Sequence, residues 1–194
     1  MYWLHMPGYR DHNRLDARRA LPPAFTGEAP TEMACVASVV AHIRDNAYAH
    51  HIERLMILGN LALTAGVDPQ VMTQWMWSSF IDGAEWVMVP NVIGMALHAD
   101  GGLMATKPYA SGGAYINRMS DHCAGCRYNP KQRTGENACP FTTLYWDFMA
   151  RNDEVLAPNH RRGRELAGMR RLADLDQVRT RAREVLVALD AGTL

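Results

Sequence analysis

Apolar side chains recur at three- and four-residue intervals along most of this chain, and no stretch keeps the strict alternation of a half-buried strand. Between residues 32 and 45, Met33, Val36, Val39, Val40 and Ile43 mark one helical face, with Thr31 as its N-cap. A second helix is predicted over residues 47–65, ended by Gly66. His50 and His51 lie on it about 100° apart. His51, Arg54, Leu55 and Leu58 share one face at i, i+3, i+4 and i+7. Asp68-Pro69 pairs an N-cap with a proline at the first helical position and starts a third helix. That helix carries Trp75, Met76 and Trp77 and breaks at Asp82-Gly83.

Residues 86–97 are apolar around Pro90-Asn91 and read as a short buried segment or helix. Residues 101–113 are glycine-rich and read as a loop. Residues 141–151 form an aromatic-rich helix with Tyr145, Trp146 and Phe148. Helices over 161–172 and 174–189 follow. The last aligns Leu175, Val178, Ala182, Val185, Leu186 and Leu189. Residues 1–30, broken by Pro22, Pro23, Gly27 and Pro30, read as an irregular connection. The predicted class is all-α, in one domain and without repeats.

Composition changes this picture little. A hydrophobic share of 48% is ample for a core, and 20 Lys plus Arg balance 20 Asp plus Glu. Charge is uneven only near the end. Eight arginines against four acids between residues 158 and 184 leave a local +4, read as a solvated or a nucleic-acid-facing surface. The start Met1-Tyr2-Trp3-Leu4-His5 is no signal peptide, and the longest apolar stretch, residues 55–67, is short and holds Asn60. The expectation is a cytoplasmic protein without a membrane span. In a reducing compartment its cysteines point to metal or redox chemistry rather than disulfides.

There are four cysteines, and three of them fall within Asp121-His122-Cys123-Ala124-Gly125-Cys126, twelve residues, then Cys139-Pro140. Cys35 lies far upstream. Four thiolates suit zinc or an iron–sulfur cluster. A single Cys-x2-Cys knuckle with dispersed partners and a closing Cys-Pro favours the cluster. The remaining reading is four buried thiols acting as small hydrophobes. A cluster here would close a loop of roughly a hundred residues, restricting the unfolded chain. Four cysteine ligands leave no open coordination position, so its role is structural or electron-relaying.

Further motifs add to the cysteines. These are Ala49-His50-His51-Ile52-Glu53-Arg54-Leu55-Met56, then Phe80-Ile81-Asp82-Gly83-Ala84-Glu85-Trp86-Val87-Met88-Val89-Pro90-Asn91, then Ala105-Thr106-Lys107-Pro108-Tyr109-Ala110-Ser111-Gly112-Gly113-Ala114-Tyr115-Ile116. With Cys-x2-Cys-x12-Cys-Pro, they resemble the iron–sulfur bacterial cryptochromes and photolyases, the prokaryotic (6-4) photolyases. The resemblance covers essentially the whole chain. It implies the helical C-terminal part of a FAD-binding domain, without the N-terminal antenna domain and the first part of the flavin domain.

From the resemblance, Cys35, Cys123, Cys126 and Cys139 hold a [4Fe–4S] cluster. His51, Arg54 and Leu55 run along FAD, Asp82 lies near its isoalloxazine or adenine, and Met88 and Asn91 complete the shell. Relatives in the wider superfamily place a polar side chain where Met88 stands. His50 and His51 match a catalytic lesion-site pair, and Met95 and Tyr109 match lesion-pocket residues. Lys107 and the late arginines are expected on phosphates, and Trp75 and Tyr115 in electron transfer. The implied activity is light-driven repair of (6-4) photoproducts in UV-damaged DNA. The alternatives are a blue-light sensor and a non-catalytic remnant that binds DNA or a partner. The missing N-terminal half, as a separate chain, is a further expected partner. Read from the residues alone, Arg54 makes a salt bridge to Asp82 or Glu85, and the tryptophans are core.

Overall fold

Proline, glycine and capping side chains decide where each helix starts and stops. In the computed structural model, which describes residues 2–194, the order is α1 (Pro23–Thr26), α2 (Ala34–Asn46), α3 (His51–Glu53), a π-helical segment π1 (Arg54–Gly59) and α4 (Asn60–Ala65). Then come α5 (Pro69–Ser79), α6 (Glu85–Val89), a second π segment π2 (Pro90–Ala96), α7 (Gly113–Met119), α8 (Pro140–Arg151), α9 (Asp153–Leu156), α10 (Gly163–Arg170) and α11 (Leu175–Ala191). Among the described residues the extended pairings are two isolated bridges, Arg19 with Val67 and Asn129 with Ala138. The all-α class expected from the sequence is therefore the class the chain adopts. No helix among the described residues is long and apolar enough to cross a membrane.

The chain divides into two compact units. One comprises the stretch up to Leu21 with Ser38–Tyr109; the other comprises Pro22–Ala37 with Ala110–Leu194. In the first, π1 and π2 pack on each other, and α5 packs on π2 and α6. Its core includes Leu58, Leu61, Met72 and Ile93. Tyr9 is buried there too, and its hydroxyl donates to Asp100 Oδ2 at 2.8 Å. Asp100 also accepts the backbone N–H groups of Gly102 and Met104, each at 2.9 Å, so this buried carboxylate is fully engaged. In the second unit, α11 lies along α8. Val178, Ala182, Val185 and Leu189 of α11 are buried, as are Phe141, Leu144 and Phe148 of α8.

Several sequence expectations shift. The helix expected over 47–65 begins only at His51, because Ala47 takes a left-handed conformation (φ 50°) and its carbonyl accepts the Ile81 N–H at 2.8 Å. His50 is therefore a cap rather than a helical residue. Its Nδ1 accepts the Ile52 N–H at 3.2 Å while Glu53 accepts the His50 N–H at 2.9 Å, a reciprocal capping pair. The 100° separation of two helical histidines does not apply.

Further on, the i→i+5 turn of π1, closed by Asn60 N–H on Leu55, carries Leu58 off the expected face into the core. The first helix starts at Ala34, not 32; Thr31 Oγ1 instead accepts the Met33 N–H at 3.2 Å. Residues 86–97 are helical, but Pro90 lacks an N–H and its ring crowds the preceding turn, and the ladder widens to Leu97 N–H on Val92 at 2.9 Å. The helix expected over 161–172 opens with a 3-10 turn, His160–Arg162. The short helix α7 was not legible, because Gly112 precedes it, Gly113 opens it and only one turn of apolar positions follows.

Candidate functional site

The first unit contains a hollow between the two π segments. His51, Arg54 and Leu55 enter from the α3–π1 junction, Met76 from α5, and Val87, Met88, Asn91, Val92, Met95 and Ala96 from α6 and π2. Wide π turns recur at functional sites because they turn side chains off the regular helical face. Here one turn is forced by Pro90. The segments meet at Gly59, where an added Cβ would stand 2.9 Å from Ala96 Cβ and 3.1 Å from the Arg54 carbonyl oxygen. Only glycine permits that approach. The walls are apolar and rich in methionine, with polar groups at His51, Arg54 and Asn91. That balance suits a flat, largely apolar ligand with a few polar edges.

Arg54 is heavily committed. Its Nη1 and Nη2 meet Asp82 at 2.9 and 3.0 Å, and its Nε donates to the Ala49 carbonyl at 2.7 Å. The guanidinium also lies 4.1 Å from the Phe80 ring centroid and 4.9 Å from that of Tyr48. The salt bridge to Asp82, one of the two considered from the residues alone, is thus formed. Asp82 is exposed, turned to Arg54, and does not line the hollow.

Of the other expected residues, His51, Leu55, Met88, Asn91 and Met95 do line the hollow, and His50 does not. Asn91 Nδ2 donates to Val87 O at 2.7 Å, which leaves its carbonyl oxygen as an acceptor. Met95, assigned from the sequence to the lesion pocket, shares this hollow with the residues assigned to flavin. Lys107 and Tyr109 are half-buried outside it. Trp75 is half-buried against Phe80, with ring centroids 6.3 Å apart, and its neighbour Met76 faces the hollow instead. Tyr115, in the second unit, lies under Arg118. Sequence reasoning missed Met76, Val87, Val92 and Ala96. The spacing of 88, 91 or 92, and 95 or 96 could have found the last two.

The second unit brings all four cysteines to one hollow, also lined by Met33, Gly113, Ile116, His122, Tyr128, Pro140 and Phe141. Cys35 and Cys139 are buried, and Cys123 and Cys126 are half-buried. Burial pushes the Cys35 thiol up to about 12, with Cys139, Cys123 and Cys126 adding to the shift. Burial likewise raises Cys139 to about 11, and Cys123 is raised by burial and by Cys126. Without a cation these thiols stay protonated at neutral pH. A bound cation inverts that logic by stabilising the thiolates. At Gly113 a Cβ would stand 2.7 Å from Cys139 Sγ, so glycine is what lets α7 approach the sulfur. Cys126 Sγ donates to the Glu32 carbonyl at 3.7 Å. Among the described residues no three His, Cys, Asp or Glu side chains converge to hold one metal ion.

The late arginines are mostly engaged. Arg162 is buried, which lowers its pKa, and lies 3.6 Å from Glu165. Arg170 grips Asp153 at 2.7 and 3.0 Å, and Arg181 meets Glu184 at 2.9 Å. Arg161, Arg164 and Arg171 are exposed.

No family model matches the chain. Over 174 residues, 90% of its length, it is 52% identical to the (6-4) photolyase of Agrobacterium fabrum. That match covers 34% of the relative, so the chain spans about a third of its length. Over 97 residues, half of this chain, it is 33% identical to an uncharacterized protein of Acanthamoeba polyphaga mimivirus, 72% of which is matched. Such identity over nine tenths of the chain, together with an all-helical fold, shows that the chain belongs to the photolyase/cryptochrome family.

Proposed function

We propose that this chain is the flavin-holding helical part of a light-driven DNA repair protein acting on (6-4) pyrimidine photoproducts. FAD would sit in the hollow between π1 and π2, and Cys35, Cys123, Cys126 and Cys139 would hold a [4Fe–4S] cluster. The observation that carries the flavin reading is that His51, Arg54, Leu55, Met88 and Asn91, separated by up to 40 residues in sequence (91 minus 51), line one mostly apolar hollow. Bound there, FAD would supply light-driven electron-transfer chemistry to a pyrimidine lesion extruded from the DNA stack.

The chain's own residues do the rest. Leu55, Val87, Met88, Val92 and Met95 exclude water from the hollow. His51, at its polar end, is placed to hold or move a proton at the lesion. His50 orients His51 by capping the helix it begins. Asn91 offers its carbonyl oxygen to a ring or ribose donor, and Met88 offers no hydrogen bond. The Arg54–Asp82 pair keeps the residue 47–50 turn closed beside the hollow. Tyr109 is left to stack on the lesion, and Trp75 and Tyr115 are left to pass electrons. Lys107, Arg161, Arg164 and Arg171 remain to meet phosphates, which give affinity without sequence information.

For the cysteines, four thiols line one hollow, and the single Cys-x2-Cys knuckle and closing Cys-Pro favour a cluster over zinc.

The test is anaerobic reconstitution with FAD, iron and sulfide, followed by illumination with an oligonucleotide carrying a (6-4) photoproduct. One flavin per chain is expected, with a broad cluster absorption beneath the flavin bands. Filling the hollow with Val92→Trp should weaken FAD binding by about a hundredfold or more. Photoreduction without repair would favour a sensor. A chain that binds no FAD, or a Val92→Trp variant that binds it unchanged, removes the flavin assignment.

A further inference from the structure

Separate segments of the second unit deliver the four thiols, and one guanidinium joins them from the solvent side. Arg127 directly follows Cys126. It pairs with Glu32, three residues before Cys35, and with Glu136 at 3.3 Å, three residues before Cys139. The same guanidinium lies 5.2 Å from the ring centroid of Tyr128, and Tyr128 is a wall of the cysteine hollow. Arg127, Glu32 and Glu136 are all exposed, and an isolated pair of that kind contributes little. These pairs are not isolated. One planar cation serves two carboxylates and a ring face, a geometry that suits arginine and not lysine. Glu32 is also 95 residues away in sequence, so the contact joins distant parts of the chain.

The Cys126 thiol reinforces the same junction by donating to the Glu32 carbonyl at 3.7 Å. That bond needs the thiol proton, which leaves when a thiol becomes a ligand. The Arg127 pairs need no such proton, because a guanidinium stays charged, and so they hold in both states. On the other arm the Asn129 N–H donates to the Asn137 carbonyl at 2.8 Å, and the Cys139 N–H to the Asn129 carbonyl at 3.2 Å. We propose that Arg127 is a positioning residue of the four-cysteine site. It clasps the segments bearing Cys35, Cys126 and Cys139 in register from outside the hollow and so slows loss of the group that the thiols hold. The inference rests on the cluster assignment for what is held; the clasp itself is made of protein groups alone.

The experiment compares the parent with Arg127→Gln and Arg127→Lys after anaerobic reconstitution with iron and sulfide. Cluster absorbance is followed under an iron chelator at low and at high KCl, with helicity checked by circular dichroism. Arg127→Gln should lose its cluster about five- to tenfold faster than the parent. Arg127→Lys keeps the charge without the two-point grip and should fall between them. High KCl should speed loss from the parent and leave Arg127→Gln nearly unmoved, because screening acts on the ion pairs. A side chain that merely packs would give no such difference. In the metal-free chain, hydrogen exchange at the Asn129 and Cys139 amides should be faster in Arg127→Gln than in the parent. Equal cluster loss in parent and Arg127→Gln, or the same salt dependence in both, would overturn the proposal. A parent that takes up no cluster removes the cluster assignment instead; the clasp then stands on faster exchange in Arg127→Gln and falls on equal exchange.

Discussion

Arg54 shows how much one side chain can decide. It lies where a flavin-contacting arginine is expected, yet its Nε, both Nη atoms and its cationic face already have partners. Its main work is to fasten the left-handed turn at Ala47 to the break after α5. Arg54→Ala should therefore lower stability by about 1.5–3 kcal/mol in urea unfolding, the range for hydrogen bonds to charged groups. Arg54→Lys should recover only part of that, since an ammonium cannot make the planar two-point grip or stack as well. If Arg54→Ala unfolds at the same urea concentration as the parent, the rivet role is wrong. The sequence showed that Arg54 and Asp82 could pair. It did not show the Ala49 carbonyl or the Phe80 ring, because both contacts depend on the turn at Ala47, and alanine there gives no sign of a positive φ.

Among the elements, the crossing of π1 and π2 sets the width of the hollow. Apolar periodicity located both segments but assumed 3.6 residues per turn, and so it put Leu58 on the wrong face. Pro90 could have signalled the second π turn. Nothing comparable marks the first, which follows from packing Gly59 on Ala96. Gly59→Ala should overpack that contact and cost about 1–3 kcal/mol. In the double variant Gly59→Ala, Ala96→Gly the two changes should largely cancel, which thermal unfolding of all four proteins in the cycle would reveal. Simple additivity would mean that the two positions are not coupled and that the close approach does not set the crossing.

For the whole molecule, the cysteines matter through the length of chain they enclose. Residues 36–138 lie between Cys35 and Cys139. A cross-link over such a span restricts the unfolded chain by about 4–5 kcal/mol in the loop-entropy picture. Cys123→Ala should therefore lower the stability of the iron- and sulfide-reconstituted chain by on the order of 4 kcal/mol while leaving the metal-free chain nearly unchanged. Equal losses in both states would mark Cys123 as a packing residue and not a ligand. By itself the sequence determined the all-α class, most helix positions, the four-cysteine set and the family, because periodicity, breakers and motifs are local properties read along the chain. Only the tertiary structure decided that His50 caps while His51 faces the hollow, that Arg54 is held by Asp82, and that Met76 joins the wall. It also decided that Cys35 and Cys139 meet the Cys123–Cys126 pair in one hollow. Those outcomes depend on π turns, a left-handed alanine and glycine contacts, whose geometry is set by packing between segments far apart in sequence.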